Sequence, residues 1–349
     1  MRSAVLRDGA MFVRDDVQDP VPGQGEVLIE VAACGICGSD LHYVHHAPAM
    51  MEVTARIEGT PDLGRTPTDL SRDVFMGHEF CGRVLDVGPA TDGPAPDTFV
   101  TSVPIMLTAT GIQDLAYTND APCGYSERML LSSLLTLPVP NGLAPTHAAL
   151  TEPMAVGLHA VNRSGLQAGD GAVVVGCGPV GLAVIAALRL LGVAPIVAAD
   201  LSPARRALGA TMGADEVVDP RDETAFAAWA RVGGGRQMAV FEAVGVPGMI
   251  DELMRVAPAQ SRIVVVGVCM QPDALTPMFG IAKELNVQFV LGYTPEEFAA
   301  SLQSIAEGAI DVAPMITGQV GLDEVPTAFE LLANPEQHCK ILVVPGGAS

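Results

Sequence analysis

The run GAVVVGCGPVGLAVIAALRLLG at 171–192 constrains this chain more than any other stretch. It is uncharged as far as Leu188, yet Gly176, Gly178, Pro179 and Gly181 crowd its centre, which argues against a membrane span. A short buried strand, a glycine turn and a helix ended by Gly192 account for it better. APIVAAD at 194–200 reads as the next strand, and Ser202 with Pro203 just inside opens another helix. EVVD, MAVFEAVG and SRIVVVGV then alternate as strands with the helical DETAFAAWARV and PGMIDELMRVA. That alternation predicts a parallel sheet covered on both faces.

Within the run, GCGPVG is G-x-G-x-x-G directly after a strand and opening a helix, and Asp200 closes the next strand about 20 residues on. Gly176, Gly178 and Gly181 permit a tight turn and let backbone N–H groups approach a pyrophosphate. The helix N-terminus adds free donors and the positive end of its dipole. Asp200 is placed to accept both ribose hydroxyls and to repel a 2′-phosphate, so NAD is expected over NADP. Arg205 and Arg206 nearby leave room for NADP. The bland alternative is a glycine turn with no ligand.

At 349 residues the chain is expected to form two domains. A formal charge of −21 excludes the basic footprint that nucleic acid demands, and argues equally against an anionic membrane surface. Seven cysteines, an odd number, suit a reducing cytoplasm rather than a disulfide framework. The start, MRSAVLRDGAMF, has no apolar signal-type region. Before residue 151 the chain is strand-like, with GEVLIEVAACGICG, HEFCGRVLDVG and a loop, ATDGPAPDTFV, entering another strand. A compact, partly closed β domain is expected there. After Thr294 come a helix, PEEFAASLQSIAEG, and a last strand, KILVV.

Residues 34–46 read CGICGSDLHYVHH. Such a cluster fits a metal site, a Cys34/Cys37 redox pair, or neither. A catalytic zinc takes three protein ligands and keeps a fourth position open. Distant candidates are His78 and Glu79 in GHEF, and Glu152 in LTEPMAVGLHA.

CGICGSDLH, GHEF, the TEP segment and GCGPVG, in this order, resemble the zinc-dependent medium-chain dehydrogenases, the alcohol and polyol dehydrogenase family. The resemblance covers essentially the whole chain. It implies an α/β protein with a GroES-like β catalytic domain, 1–151 and 296–349, and a Rossmann domain with a doubly wound parallel sheet, 152–295. It implies Cys37, His78 and Glu152 as zinc ligands, with Glu79 as the adjacent acid able to approach the metal. Asp40 would hold His78 in the right tautomer. Ser39 would bond the substrate oxygen, and His42 would pass its proton to solvent. Val180 and Val268 would pack at the nicotinamide end, the Val268 carbonyl holding the carboxamide, and Arg205 would lie beside the adenosine ribose. Cys34 becomes a small core residue.

The implied reaction moves a hydride between a small alcohol and NAD, with zinc stabilising the alkoxide charge. No cysteine lies between Cys81 and Cys123, so one catalytic zinc and no structural zinc is expected. A homo-oligomer, dimer or tetramer, is implied. Rival readings are a zinc-free quinone or enoyl reductase of the same superfamily and a non-catalytic dinucleotide-binding protein. Residues 43–76 form an insertion, in which PAMMEVTARIEG is expected as a short helix offering Met50, Met51, Val53 and Ile57 for packing, as a lid or an oligomer contact. His45 and His46 are expected in a solvated loop.

Overall fold

The computed structural model describes residues 1–59, 67–109 and 111–347. Six parallel strands form one sheet, in the order Glu216–Val218, Ile196–Ala199, Gly171–Val175, Met238–Glu242, Arg262–Val265, Asn286–Phe289. The chain enters at Gly171–Val175 in the middle, winds outward to one edge, and then returns to build the other half. The strand order therefore reverses beside Val175, and a ligand crevice opens at such a point in this class of sheet. Val173, Val197 and Val240 pair across three of these strands and are fully buried, as β-branched residues covered on both faces should be.

The helix Pro179–Leu191 buries every residue from Gly181 to Leu188. It lies against the helix Thr151–Ser164, where a Cβ on Gly157 would collide with the backbone of Ala183. Glycine at that crossing sets how close the two helices approach. The second helix is in turn tied to Pro295–Ala306. Glu297 there sits 2.8 Å from His159 Nδ1 and accepts a hydrogen bond from Asn162 at 2.7 Å.

The other principal sheet has seven strands and is centred on Glu26–Gly35. Glu79–Val87 pairs antiparallel with it along most of its length, and Lys340–Val343 pairs with its end, Leu342 opposite Gly35. The last strand of the chain thus returns to the sheet begun by the first third. A three-stranded sheet and the hairpin Ile105–Thr108 with Gly111–Asp114 complete the β part. The fold class implied by the resemblance is the one observed.

Two local expectations are corrected. The insertion's helix does not begin near Pro48 but spans Gly38–Ala55, so His45 and His46 lie on a helix, both exposed, and not in a loop. Pro48 is accommodated because the helix kinks at His46 (φ −136°, ψ 17°), which relieves the clash a proline ring makes one turn back. Of the apolar residues offered for packing, Met50 packs against the β-domain core, whereas Val53 and Ile57 are 47% and 55% exposed. The expected insertion also includes 60–66, outside the described residues. No helix among the described residues is long and apolar enough to cross a membrane.

Candidate active site

The strand Glu26–Gly35 delivers Cys37 to the N-cap of the helix Gly38–Ala55. Asp40, in that helix's first turn, turns back so that its Oδ2 accepts from the Cys37 N–H at 2.9 Å and from the Tyr125 hydroxyl at 2.6 Å. Its Oδ1 faces His78 Nδ1 at 3.5 Å, and neither atom has another partner. Burial alone would raise the Asp40 carboxyl, but His78, Tyr125 and the Cys37 N–H hold it below the ordinary carboxylate range. With Nδ1 turned to Asp40, the other ring nitrogen of His78 points into the site, 3.5 Å from Ser39 Oγ.

His78 is set by Gly77, whose φ of +97° and 2.8 Å clearance from Tyr125 exclude a side chain. Donor atoms of Cys37, His78 and Glu79 all lie within 4.8 Å of one another. Glu79 is wholly buried and receives two hydrogen bonds from Lys340 Nζ, each 2.7 Å. Gly35 opposite must be glycine, since a Cβ there would meet the Glu79 carboxylate. Glu152, in the first turn of Thr151–Ser164, lines the same cavity but stands outside that trio. Burial, then the opposed effects of His78 and Glu79, push its carboxyl up to about 7, and the Tyr293 hydroxyl bonds it.

A cysteine sulfur, an imidazole backed by a carboxylate, and two further carboxyl groups form a donor set that suits zinc. The unpartnered His78 Nδ1–Asp40 pair is the arrangement that orients such a ligand. The residues present therefore fit the ion. Cys34 is fully buried and all seven cysteines are free thiols.

The cavity, of about 420 Å³, has Cys37, Ser39, His42 and Glu152 on one wall. Gly178, Val180, Arg205 and Val268, from helices and loops flanking the parallel sheet, line the same cavity. Gly176 has φ +98°, and a Cβ on it would lie 2.8 Å from the Ala243 carbonyl; one on Gly181 would strike the Gly176 carbonyl. Gly178 differs, because its nearest neighbour would be an Arg205 nitrogen 3.9 Å off. Open space over the first residue of a helix cap is what a pyrophosphate needs. Asp200 is anchored by N–H groups of Cys177 and Ser202, each at 2.8 Å. Arg206 is taken up by Asp219 and the carbonyls of Asp200 and Leu201, so Arg205 is the cation left on the cavity wall.

Sequence reasoning missed Lys340, Tyr117, Tyr125 and Tyr293. Their signal was scarcity. The chain has four tyrosines, and three of them aim a hydroxyl at Ser39, Asp40 or Glu152. One of its two lysines opens an apolar strand, where a charge must be paired if buried.

A glycine loop built for pyrophosphate, facing a zinc-type donor set across one crevice, defines a dehydrogenase class of site. The alcohol dehydrogenase GroES-like domain profile matches residues 23–141, and the zinc-binding dehydrogenase profile matches residues 179–307. (R,R)-butanediol dehydrogenase of Bacillus subtilis (strain 168) is 33% identical over 344 residues, covering 95% of this chain and 96% of that protein. The crystal structure of 2R,3R-butanediol dehydrogenase from Bacillus subtilis matches with a TM-score of 0.82 and 30% identity, over 99% of this chain and 100% of that one. A structure from Sinorhizobium meliloti 1021, assigned as a zinc-binding dehydrogenase and bound to NADP, matches with a TM-score of 0.80 and 28% identity over 99% of each chain. This chain belongs to the zinc-dependent medium-chain family of alcohol and polyol dehydrogenases. It is an alcohol oxidoreductase, and the two rival readings fall away.

Proposed function

We propose that this protein oxidises a short aliphatic alcohol or diol, with one zinc ion per chain and NAD as hydride acceptor. The observation that carries the reading is a single cavity lined both by Cys37, His78 and Glu79, with donor atoms within 4.8 Å, and by Gly178 and Val268. Val156 and Leu291 make part of the wall apolar, and the butanediol relative acts on a small diol.

Cys37, His78 and Glu152 would hold the metal, with Glu79 beside them bonded by Lys340 at its back. When bound, zinc supplies Lewis-acid stabilisation of alkoxide charge and NAD supplies the hydride acceptor. Ser39 takes the alcohol's proton and His42 passes one on to solvent. The Val268 carbonyl would orient the carboxamide, and Val180 would pack against that end of the cofactor. Asp200 holds the ribose hydroxyls and disfavours a 2′-phosphate, while the NADP-bound relative makes that preference a matter for measurement.

The catalytic unit comprises 1–151 and 296–349, and the cofactor unit 152–295. The free edge of Asn286–Phe289, with Phe289 60% and Leu291 89% exposed, suits pairing with a second copy, hence a homo-oligomer. Free cysteines throughout suit a cytoplasmic setting.

The test follows NAD and NADP reduction by absorbance over primary, secondary, aromatic and polyol alcohols, beside a metal-stripped sample. Turnover lost on stripping and restored by zinc is the expected result. Full activity after complete stripping would overturn the zinc assignment.

A further inference from the structure

Tyr117 lies in the segment after the hairpin Ile105–Asp114, far in sequence from every motif that marks the site. Its hydroxyl donates to Ser39 Oγ at 2.8 Å. Its ring stacks on Tyr43, with centroids 4.1 Å apart and planes 9° from parallel, and meets the His78 ring edge-on at 6.0 Å. The backbone pays for this placement: Tyr117 has φ +55°, a left-handed conformation that a bulky side chain rarely adopts. Two neighbours enforce it. Thr68 Oγ1 donates to the Tyr117 carbonyl, and Thr118 exchanges backbone hydrogen bonds with Phe75 at 2.7 and 3.2 Å. Strain held in place from both sides, at a residue aimed into a site, points to function.

We propose that Tyr117 is a positioning residue for proton transfer, holding Ser39 Oγ in one orientation and stabilising the charge that builds on it. This rests on the reading of Ser39 given above. A serine hydroxyl has one proton and two lone pairs. Tyr117 fills one lone pair and leaves the other for the substrate oxygen. As the alcohol's O–H bond breaks, its proton goes to that lone pair while the proton Ser39 already carries leaves towards His42. Oγ ends with one proton, as it began, and Tyr117 keeps its own throughout. The substrate's C–H electron pair would leave as hydride, for which NAD, when bound, supplies the acceptor. A donor fixed on Oγ matters most when proton loss runs ahead of proton gain, so the effect falls on kcat rather than on binding.

The experiment compares the parent, Tyr117→Phe, Ser39→Ala and the double variant. Phe keeps the stacked ring and removes only the hydroxyl. Expected for Tyr117→Phe is a kcat about tenfold lower, the scale of one hydrogen bond used in the transition state. KM should change less than about twofold by the same logic, with NADH affinity and zinc content unaltered. In the Ser39→Ala background the same change should cost nothing further. A kcat within twofold of the parent, or an equal loss in both backgrounds, would overturn the inference. Should the Phe variant not fold, 3-fluorotyrosine at position 117 keeps ring and hydroxyl while making a stronger donor; an unchanged kcat then overturns it. A parent protein that turns over no alcohol sinks the functional reading, and this inference with it. A working parent with an indifferent Tyr117→Phe sinks this inference alone.

Discussion

Lys340 Nζ lies 2.7 Å from both carboxylate oxygens of Glu79 and 3.0 Å from the Ile36 carbonyl, with both side chains sealed from solvent. The two residues are 261 positions apart. They meet because Gly35 pairs with Glu79 on one side and with Leu342 on the other. Burial alone would lower the Lys340 pKa, yet Glu79 and Cys37 raise it overall, so the lysine stays charged. It offsets one negative charge where Cys37, Asp40, Glu79 and Glu152 converge.

Removing one partner strands the other charge. Lys340→Met is expected to cost about 3–5 kcal/mol in chemical denaturation, and Glu79→Gln added to it should restore most of that. A double variant no more stable than Lys340→Met would show that the pair is not coupled.

Two glycines of one loop should answer differently to the same change. Gly178→Ala points a methyl into open cavity at a φ of −69°, so melting should be unchanged while NADH affinity falls at least about tenfold. Gly181→Ala drives a methyl into the Gly176 carbonyl and should lower Tm instead. Calorimetry and NADH fluorescence titration on the pair separate the two effects.

Asp200→Ala removes the carboxylate proposed above to hold the ribose hydroxyls. The ratio of kcat/KM for NAD to that for NADP should fall at least about tenfold, with Arg205 then free to attract a phosphate. An unaltered ratio would place cofactor choice elsewhere on the cavity wall.

His42 is half-buried, and burial, followed by His46 and His45, holds its pKa below the ordinary 6.5. It is therefore neutral, and able to accept a proton, at pH 7. Alcohol oxidation should lose activity on the acid side as His42 protonates, at a pH below its ordinary value. Replacing His45 and His46 by alanine removes like charges, which raises the pKa and moves that acid limb to higher pH. A pH–kcat/KM profile of this double variant that stays put would remove His42 from the relay.

Leu291→Glu and Phe289→Asp place charges on the free sheet edge. Light scattering should show the proposed homo-oligomer falling to monomer. If copies remain associated, the contact lies elsewhere, with the exposed Val53 and Ile57 of the insertion next in line.

Much of this protein is local and therefore readable from its residues. The alternation of apolar strands and capped helices from 171 onward depends on neighbours a few positions apart, and the parallel sheet follows it nearly segment by segment. Asp200 and the three loop glycines could be named for the same reason: a strand, a turn and a helix N-terminus are adjacent in sequence. The motif residues Cys37, His78 and Glu152 were legible only as an ordered set, since nothing near any one of them says that it lines the same cavity as the others.

The helix Gly38–Ala55 was legible only in its last turns, because cysteine, glycine and three histidines dominated the part that runs helical up to the kink before Pro48. Lys340, Tyr117, Tyr125 and Tyr293 offered only the signal of scarcity, with no sign of which group each one meets. Each acts through one polar atom on a group far away in the chain, and that meeting depends on strand register and on where a loop crosses. A pattern of apolar residues decides which faces are buried. Only the folded sheet decides which single hydroxyl or ammonium group ends up beside which carboxylate, because hydrogen bonds and buried ion pairs depend on position to within a fraction of an ångström.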